Sequence, residues 1–195
     1  IEKASFLGGA DFRRGDDTYE DAFETARLLA ESGLTILNGG GPGVMRAATE
    51  GAHQAGGRVV GVTYYPESKH GNYEGRDPLN HFDEEMITKD YFQRTQTLLE
   101  MGDVHIVFRG GTGTISEFGM CWALARIHYG HSIPLLLFGE FWEEITSCFH
   151  KYMYMRPDEL RLYYIVTSPQ QVLDTIRNVE RPSAKPAIPR QGETA

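Results

Sequence analysis

The sequence has little cysteine: two residues, Cys121 and Cys148, in a chain of 195. They make no CxxC pair and no zinc-ligand spacing, and they fall in what read as separate helices. A disulfide framework and a zinc ribbon are therefore not expected, and reduced thiols in a cytoplasmic protein are. No apolar run approaches the ~20 residues that span a bilayer. The visible start has no basic segment followed by an apolar stretch, so nothing there reads as a signal peptide. Basic residues are outnumbered: 19 Lys and Arg against 27 Asp and Glu give a net charge of −8 and no basic stripe. This argues against nucleic acid as a partner but leaves room for a local basic pocket holding one phosphate. Lysine is sparse as well, with five residues: Lys3, Lys69, Lys89, Lys151 and Lys185. None lies in a glycine loop, and pyridoxal phosphate chemistry needs a Schiff-base lysine, so amino-acid decarboxylation is not expected. No internal repeat is evident.

What is present fits one globular domain of ordinary size, with 41% hydrophobic and 24% charged residues. Short apolar runs alternate with segments of helical periodicity. Ala4–Leu7 reads as a strand, and Tyr19, Ala22, Phe23, Ala26, Leu29 and Ala30 as one helix face that stops at Gly33. Leu34–Leu37 is a second strand, Val44, Ala47, Ala48 and Ala52 mark a second helix, and Arg58–Val62 is a third strand. Tyr64–Glu85 breaks the pattern with prolines, glycines and charges, as functional loops often do. A strand near Glu85–Thr88 and a helix from Asp90 to Met101 follow. Then come the strand Val104–Phe108, a helix to about Tyr129, a strand Ile133–Phe138, a helix Phe141–Tyr152, a strand Tyr163–Val166 and a helix Pro169–Val179. The repeated strand–turn–helix order and the weak alternation within strands predict an α/β Rossmann-like three-layer sandwich, a mostly parallel sheet covered on both faces. Residues 1–180 form that single domain. The stretch 181–195, with three prolines among small and polar residues, reads as a disordered tail or an extended arm.

Three glycine-rich loops follow three strands: Gly8-Gly9, Gly39–Gly43 and Gly110–Gly113. In an open parallel sheet ligands bind beyond the carboxyl ends of the strands. Glycines there let a ligand approach the backbone, and a helix starting there offers unpaired N–H groups and a positive dipole end to a phosphate. Thr112 and Thr114 add hydroxyl donors. The first loop does not match GxGxxG, the third lacks its last glycine, and no GxxxxGK[ST] occurs, so neither a dinucleotide nor a P-loop nucleotide is indicated. A nucleotide-like ligand still fits three such loops better than three unrelated turns.

Glu117 lies about one turn into the helix after the third loop. Arg94 shares a helix face with Tyr91 and Leu98 near the start of the preceding helix. His128 and His131 make an HxxH pair that reads as a solvated helix end rather than a metal site, and Trp122 and Trp142 read as packing between helices.

The run Gly110-Gly111-Thr112-Gly113-Thr114-Ile115-Ser116-Glu117 resembles the PGGxGTxxE signature of the LONELY GUY (LOG) family, often labelled "lysine decarboxylase-like". Arg94 lies 23 residues before Glu117, the separation of the arginine in that family's MxxRK motif. Gly39-Gly40-Gly41-Pro42-Gly43-Val44-Met45 resembles its GGGxxGLM stretch, and Gly8-Gly9 its first phosphate-side turn. The likeness runs from about Ala4 to Phe138. Three positions depart from the pattern: Arg109 replaces the motif proline, Tyr91 and Thr95 flank Arg94 in place of methionine and lysine, and Ser116 replaces the first glutamate of a common pair.

The resemblance implies a phosphoribohydrolase that cleaves the N-glycosidic bond of a cytokinin or other nucleoside 5′-monophosphate. It implies Arg94 and Glu117 as catalytic residues, and Gly8, Gly9, Gly40, Gly41, Gly43, Met45, Arg109, Gly110, Gly111, Thr112, Gly113 and Thr114 as substrate and phosphate contacts. It implies no metal or organic cofactor, and a homodimer or larger assembly in which Trp122 and Tyr129 would be interfacial. Arg109 either strengthens phosphate binding or turns away to pair with an acid. The same superfamily holds molybdenum-cofactor carriers, so a non-catalytic carrier of a phosphorylated ligand and a nucleotide sensor remain open beside the enzyme.

Overall fold

Seven short strands pair side by side, every pair parallel, in a computed structural model that describes residues 1–65, 76–128 and 133–180. The expected tail 181–195, Tyr129 and His131 lie outside the described residues. In chain order the elements are β1 (Lys3–Leu7), α1 (Asp17–Glu31), β2 (Thr35–Asn38), α2 (Val44–Gln54), β3 (Val59–Tyr64), β4 (Glu84–Thr88), α3 (Tyr91–Met101), β5 (Val104–Val107), α4 (Thr112–Ile127), β6 (Leu135–Phe138), α5 (Phe141–Tyr152), a single 3₁₀ turn (Glu159–Arg161), β7 (Tyr164–Val166) and α6 (Pro169–Glu180). No helix among the described residues is long and apolar enough to cross a membrane.

The sheet runs β4-β3-β2-β1-β5-β6-β7. The chain builds outward from β1 to β4, then returns through α3 to place β5 on the other flank of β1 and builds outward again. Strand order therefore reverses between β1 and β5, where the loops leaving the two strands part and open a crevice.

Alternate strand residues face opposite layers. Ala4, Phe6, Ile36, Val104, Ile106, Leu136 and Phe138 pack against α1, α2 and α6. Leu7, Leu37, Val60, Val62, Val107, Leu135 and Leu137 pack against α3, α4 and α5. Both faces are thus apolar, which explains the missing alternation in the sequence. Phe6, Phe108 and Phe138 stack across β1, β5 and β6 at centroid separations of 5.6 and 4.8 Å, close to the carboxyl ends of the strands. On the other face Phe118, Trp122, Trp142 and Phe149 form a second aromatic cluster, and the Trp122 indole donates to the Glu159 carbonyl at 2.8 Å. Trp122 is therefore largely buried within its own chain.

Local signals set the helix ends. Gly33 adopts φ +92° after α1, and the bonds Gly33 N–H to Ala30 and Leu34 N–H to Leu29 close a Schellman motif. Asp90 caps α3 by accepting from the Gln93 N–H, while the Gln93 side chain accepts from the Lys89 N–H. This fixes the first turn of α3, which carries Tyr91 and Arg94.

The bounds differ from the sequence reading in two places that matter. β3 continues two residues past Val62, because Thr63 and Tyr64 pair with Ile87 and Thr88 of β4. β6 starts at Leu135 rather than Ile133, since Pro134 has no N–H to donate and contributes only its carbonyl, to His105. Cys121 in α4 and Cys148 in α5 are both free thiols.

Candidate functional site

A cleft of about 340 Å³ opens at the crevice between β1 and β5. It falls in the size range of small-molecule sites, roughly 300–1,000 Å³. Gly8, Gly9 and Asp11 from the loop after β1, Gly39 and Gly41 from the loop after β2, Met45 from the first turn of α2, and the N-cap Gly111 with Thr112, Gly113, Thr114 and Glu117 of α4 line it. Thr63, Tyr64, Arg76, Tyr91 and Arg94 complete the walls.

The floor is main chain, and its glycines are of two kinds. The first lets the loops interlock. The Gly9 N–H donates to the Arg109 carbonyl at 2.9 Å, and a Cβ on Gly110 would lie 2.7 Å from the Gly9 nitrogen and 2.1 Å from Thr114 Oγ1. Gly43 has φ +66°, and a Cβ there would sit 2.3 Å from the Gly9 carbonyl oxygen, which accepts the Val44 N–H at 3.0 Å. Three loops are thereby held in contact through backbone.

The second kind leaves backbone bare. A Cβ on Gly111 would meet nothing within 4 Å, and one on Gly113 only the Tyr91 hydroxyl at 3.6 Å. The protein's own packing does not require glycine at these positions, but a group approaching the start of α4 would. That helix has Gly111 as its N-cap, no side-chain cap and no acidic residue in its first turn. The N–H groups of Thr112, Gly113 and Thr114 have no acceptor inside the helix, so they and the helix dipole present a cradle for an anion.

Beside the cradle lies one ion pair. Arg94 (9% exposed) and Glu117 (6% exposed) meet with Arg94 Nη1 3.4 Å from Glu117 Oε1. That is longer than the roughly 2.7–2.9 Å of a tight charge-assisted bond. Burial pushes the Glu117 carboxyl above its ordinary value of 4.5, and the Arg94 charge offsets only part of the shift. Arg94 is packed into place. A Cβ on Gly39 would stand 1.5 Å from Arg94 Nη2, Met45 Sδ lies 3.7 Å from the same nitrogen, and the Tyr91 ring centroid is 5.8 Å from Arg94 Cζ. A carboxyl with a raised pKa, a fixed cation and an anion cradle in one cleft can bind a phosphorylated ligand and move a proton next to it.

Most of the residues expected from the sequence converge here. Gly8, Gly9, Gly41, Met45, Gly111, Thr112, Gly113, Thr114, Arg94 and Glu117 all line the cleft. Gly40, Gly43, Gly110 and Arg109 do not. Gly40 packs under Thr63 and Phe82, Gly43 and Gly110 serve the loop contacts, and the Arg109 guanidinium lies 4.5 Å over the Phe141 ring, away from the cleft and with no acidic partner among the described residues. Arg109 turns aside because its neighbour Gly110 faces inward against Gly9, and Phe141 offers a π face next to it. Gly39 belongs to a loop the sequence marked as ligand-facing, whereas Thr63, Tyr64, Arg76 and the Tyr91 hydroxyl were not singled out as site residues. Thr63 and Tyr64 follow from the rule that carboxyl ends of strands face the ligand, once β3 is given its full length. Two departures from the family signature touch each other: the Tyr91 hydroxyl and Ser116 Oγ are 3.1 Å apart, and Ser116 Oγ donates to the Gly113 carbonyl at 3.0 Å.

Comparison with known proteins agrees with this architecture. An uncharacterised protein of Archaeoglobus fulgidus is 35% identical over 106 residues, covering 54% of this chain and 64% of the relative. A probable cytokinin riboside 5′-monophosphate phosphoribohydrolase of Oryza sativa subsp. japonica is 24% identical over 168 residues, covering 81% of this chain and 65% of the relative. The chain thus spans slightly under two thirds of the length of each. Among solved structures, the molybdenum cofactor binding protein from the phototrophic bacterium Rippkaea orientalis superposes with a TM-score of 0.68 at 22% identity, covering 91% of this chain and 96% of that one. That likeness concerns the Rossmann-like fold. The model of one family matches residues 4–154, through every element that builds the cleft, and the chain belongs to that family, the SLOG cluster4 family.

Proposed function

We propose that this chain is a phosphoribohydrolase acting on a nucleoside 5′-monophosphate, releasing free base and ribose 5-phosphate. The observation that carries the reading is the buried Arg94–Glu117 pair set beside the uncapped start of α4 in one cleft. The 5′-phosphate sits on the N–H groups of Thr112, Gly113 and Thr114. Glu117 faces the anomeric carbon, where positive charge grows as the bond to the base lengthens. Its carboxylate stabilises that charge and takes a proton from the attacking water. The water oxygen bonds to C1′, the glycosidic electron pair leaves with the base, and the proton that Glu117 took from the water passes to the departing base, which regenerates the carboxylate. Arg94 holds Glu117 in place and offsets negative charge on the leaving group.

Incubation with matched nucleoside 5′-monophosphates and nucleosides, followed by chromatography of base and ribose 5-phosphate, tests this. Monophosphates should release base. Nucleosides should react at least about 100-fold more slowly, since losing even two of the three charge-assisted hydrogen bonds at about 1.5 kcal/mol each accounts for that factor. Equal rates would sink the assignment. Glu117 must be ionised to act as a base, and its pKa is raised. Activity should therefore fall on the acid side at a pH above the ordinary glutamate value of 4.5, which a pH–rate profile reads directly.

The second reading is a carrier of a phosphorylated ligand. What favours it is Ser116, a neutral residue bonded to Tyr91 where the LOG signature has a carboxylate. Tight binding of a phosphorylated ligand without base release would establish it.

A further inference from the structure

Resting on the nucleotide reading above, we propose that Arg76 is a specificity-determining residue that selects a 6-oxopurine nucleoside 5′-monophosphate over its 6-amino counterpart. The cleft has a hydrogen-bond-donating group at each end. One is the start of α4, beyond β5. The other is Arg76, which lines the cleft and packs above β3 and β4. In the sheet, β3 and β5 are separated by β2 and β1. Three strand spacings amount to about 14 Å. A ligand with its phosphate on the α4 cradle and its ribose at Glu117 extends its base along this line toward Arg76.

Arg76 is held in position. Its Nε donates to Glu85 Oε1 at 3.0 Å, its Cζ lies 5.1 Å from the Phe82 centroid, and its side chain is 26% exposed. The same Glu85 oxygen accepts from Thr63 Oγ1 at 2.8 Å and from the Tyr65 hydroxyl at 3.2 Å. Next to it, the Asp77 N–H donates to the Gly40 carbonyl at 2.9 Å and Asn80 Nδ2 to the Gly41 carbonyl at 2.8 Å, which ties this segment to the glycine loop. A guanidinium has five N–H donors and no acceptor, and one carboxylate oxygen cannot take them all. Such a fork matches the O6 and N7 acceptors of a 6-oxopurine and opposes the amino donor of adenine. As the glycosidic bond breaks, negative charge spreads onto O6, so the contact strengthens toward the transition state.

The test compares IMP with AMP, which differ at the 6-position, in wild type, Arg76→Gln and Arg76→Lys, by base release and by calorimetric binding. Wild type should favour IMP about tenfold in affinity, the worth of one hydrogen bond to a charged group, and at least as much in kcat/KM. Arg76→Gln should bring the ratio close to one, and Arg76→Lys should leave an intermediate value. The ratio is internal to each protein and does not depend on the fraction folded. If the variants do not fold, the wild-type order IMP, then the 6-unsubstituted purine ribotide, then AMP reads the same contact. If base is not released, the ratio is read from dissociation constants. A wild-type ratio near one, or a ratio unchanged in Arg76→Gln, overturns the role of Arg76 while the nucleotide reading stands. Absence of both binding and turnover for every nucleotide overturns the nucleotide reading itself.

Discussion

Glu117→Gln should abolish base release, by at least about 100-fold, while nucleotide binding and thermal stability are kept. Glutamine has the shape of glutamate, so the packing around Phe118 and Cys121 is preserved, but it can neither take a proton nor balance a cationic sugar. Stability should not fall, for a reason that lies in the sign of the pKa shift. Burial raises the folded-state pKa of Glu117, so the folded protein favours the protonated form and ionisation works against it. Whatever stability this residue contributes is present below its unfolded pKa and is lost as pH rises through the folded value. Removing the charge relieves that penalty, the glutamine carbonyl can still accept from the buried Arg94, and the melting temperature of Glu117→Gln should stay near that of wild type, with the difference moving in favour of the variant between acid and neutral pH. A variant that loses activity only in proportion to a lowered melting temperature would mean that Glu117 is structural. Arg94→Ala should be worse on both counts, because it removes the cation and leaves the buried carboxylate without its partner.

The second large effect is expected at a residue with no side chain. Gly39→Ala places a methyl group 1.5 Å from Arg94 Nη2, and both partners are buried. Neither can yield cheaply: Gly39 follows directly from β2, and Arg94 is enclosed by Met45, Tyr91 and Glu117. Arg94 must shift by an ångström or more, a displacement that costs about 100-fold in rate where geometry governs the reaction. A melting curve and a rate on the same sample separate the two consequences, since the alanine should slow base release much further than it lowers stability. Gly111→Ala is the matched control for the fold. Its methyl meets nothing in the protein, so stability is untouched, and any loss of affinity reports a ligand close to that backbone.

The parts of this molecule that were readable in advance are those written locally. Helical periodicity and glycine punctuation gave α1 and α2 nearly to the residue. Arg94 and Glu117 were found because two motifs at a fixed separation place them on helices that flank one strand. Arg76 could not be found this way. A single arginine in an irregular stretch has no period and no cap, and its position depends on Glu85 and Phe82, which arrive from other parts of the chain. Arg109 was legible as a cation beside the loop but not in direction, which Phe141, 32 positions later, decides. The glycines carried a similar ambiguity. The sequence does not distinguish Gly110, which is small so that Gly9 can touch it, from Gly111, which is small toward open space.

The interlocked loops have a further consequence for how this cleft can change. Gly9, Gly43 and Gly110 make its floor from peptide groups, whose positions follow from the sheet and not from any side chain. Thr63, Tyr64, Arg76 and Tyr91 make its rim from side chains, of which Thr63 packs on Gly40 and the Tyr91 hydroxyl reaches toward Gly113. The two parts can be altered separately. On the proposed reading, substitution along the rim would redirect the cleft to another ligand, or turn turnover into holding, with the cradle at the start of α4 intact. Substitution in the floor breaks three loops at once. An engineer who wants a new ligand here has four positions to vary and three to leave alone.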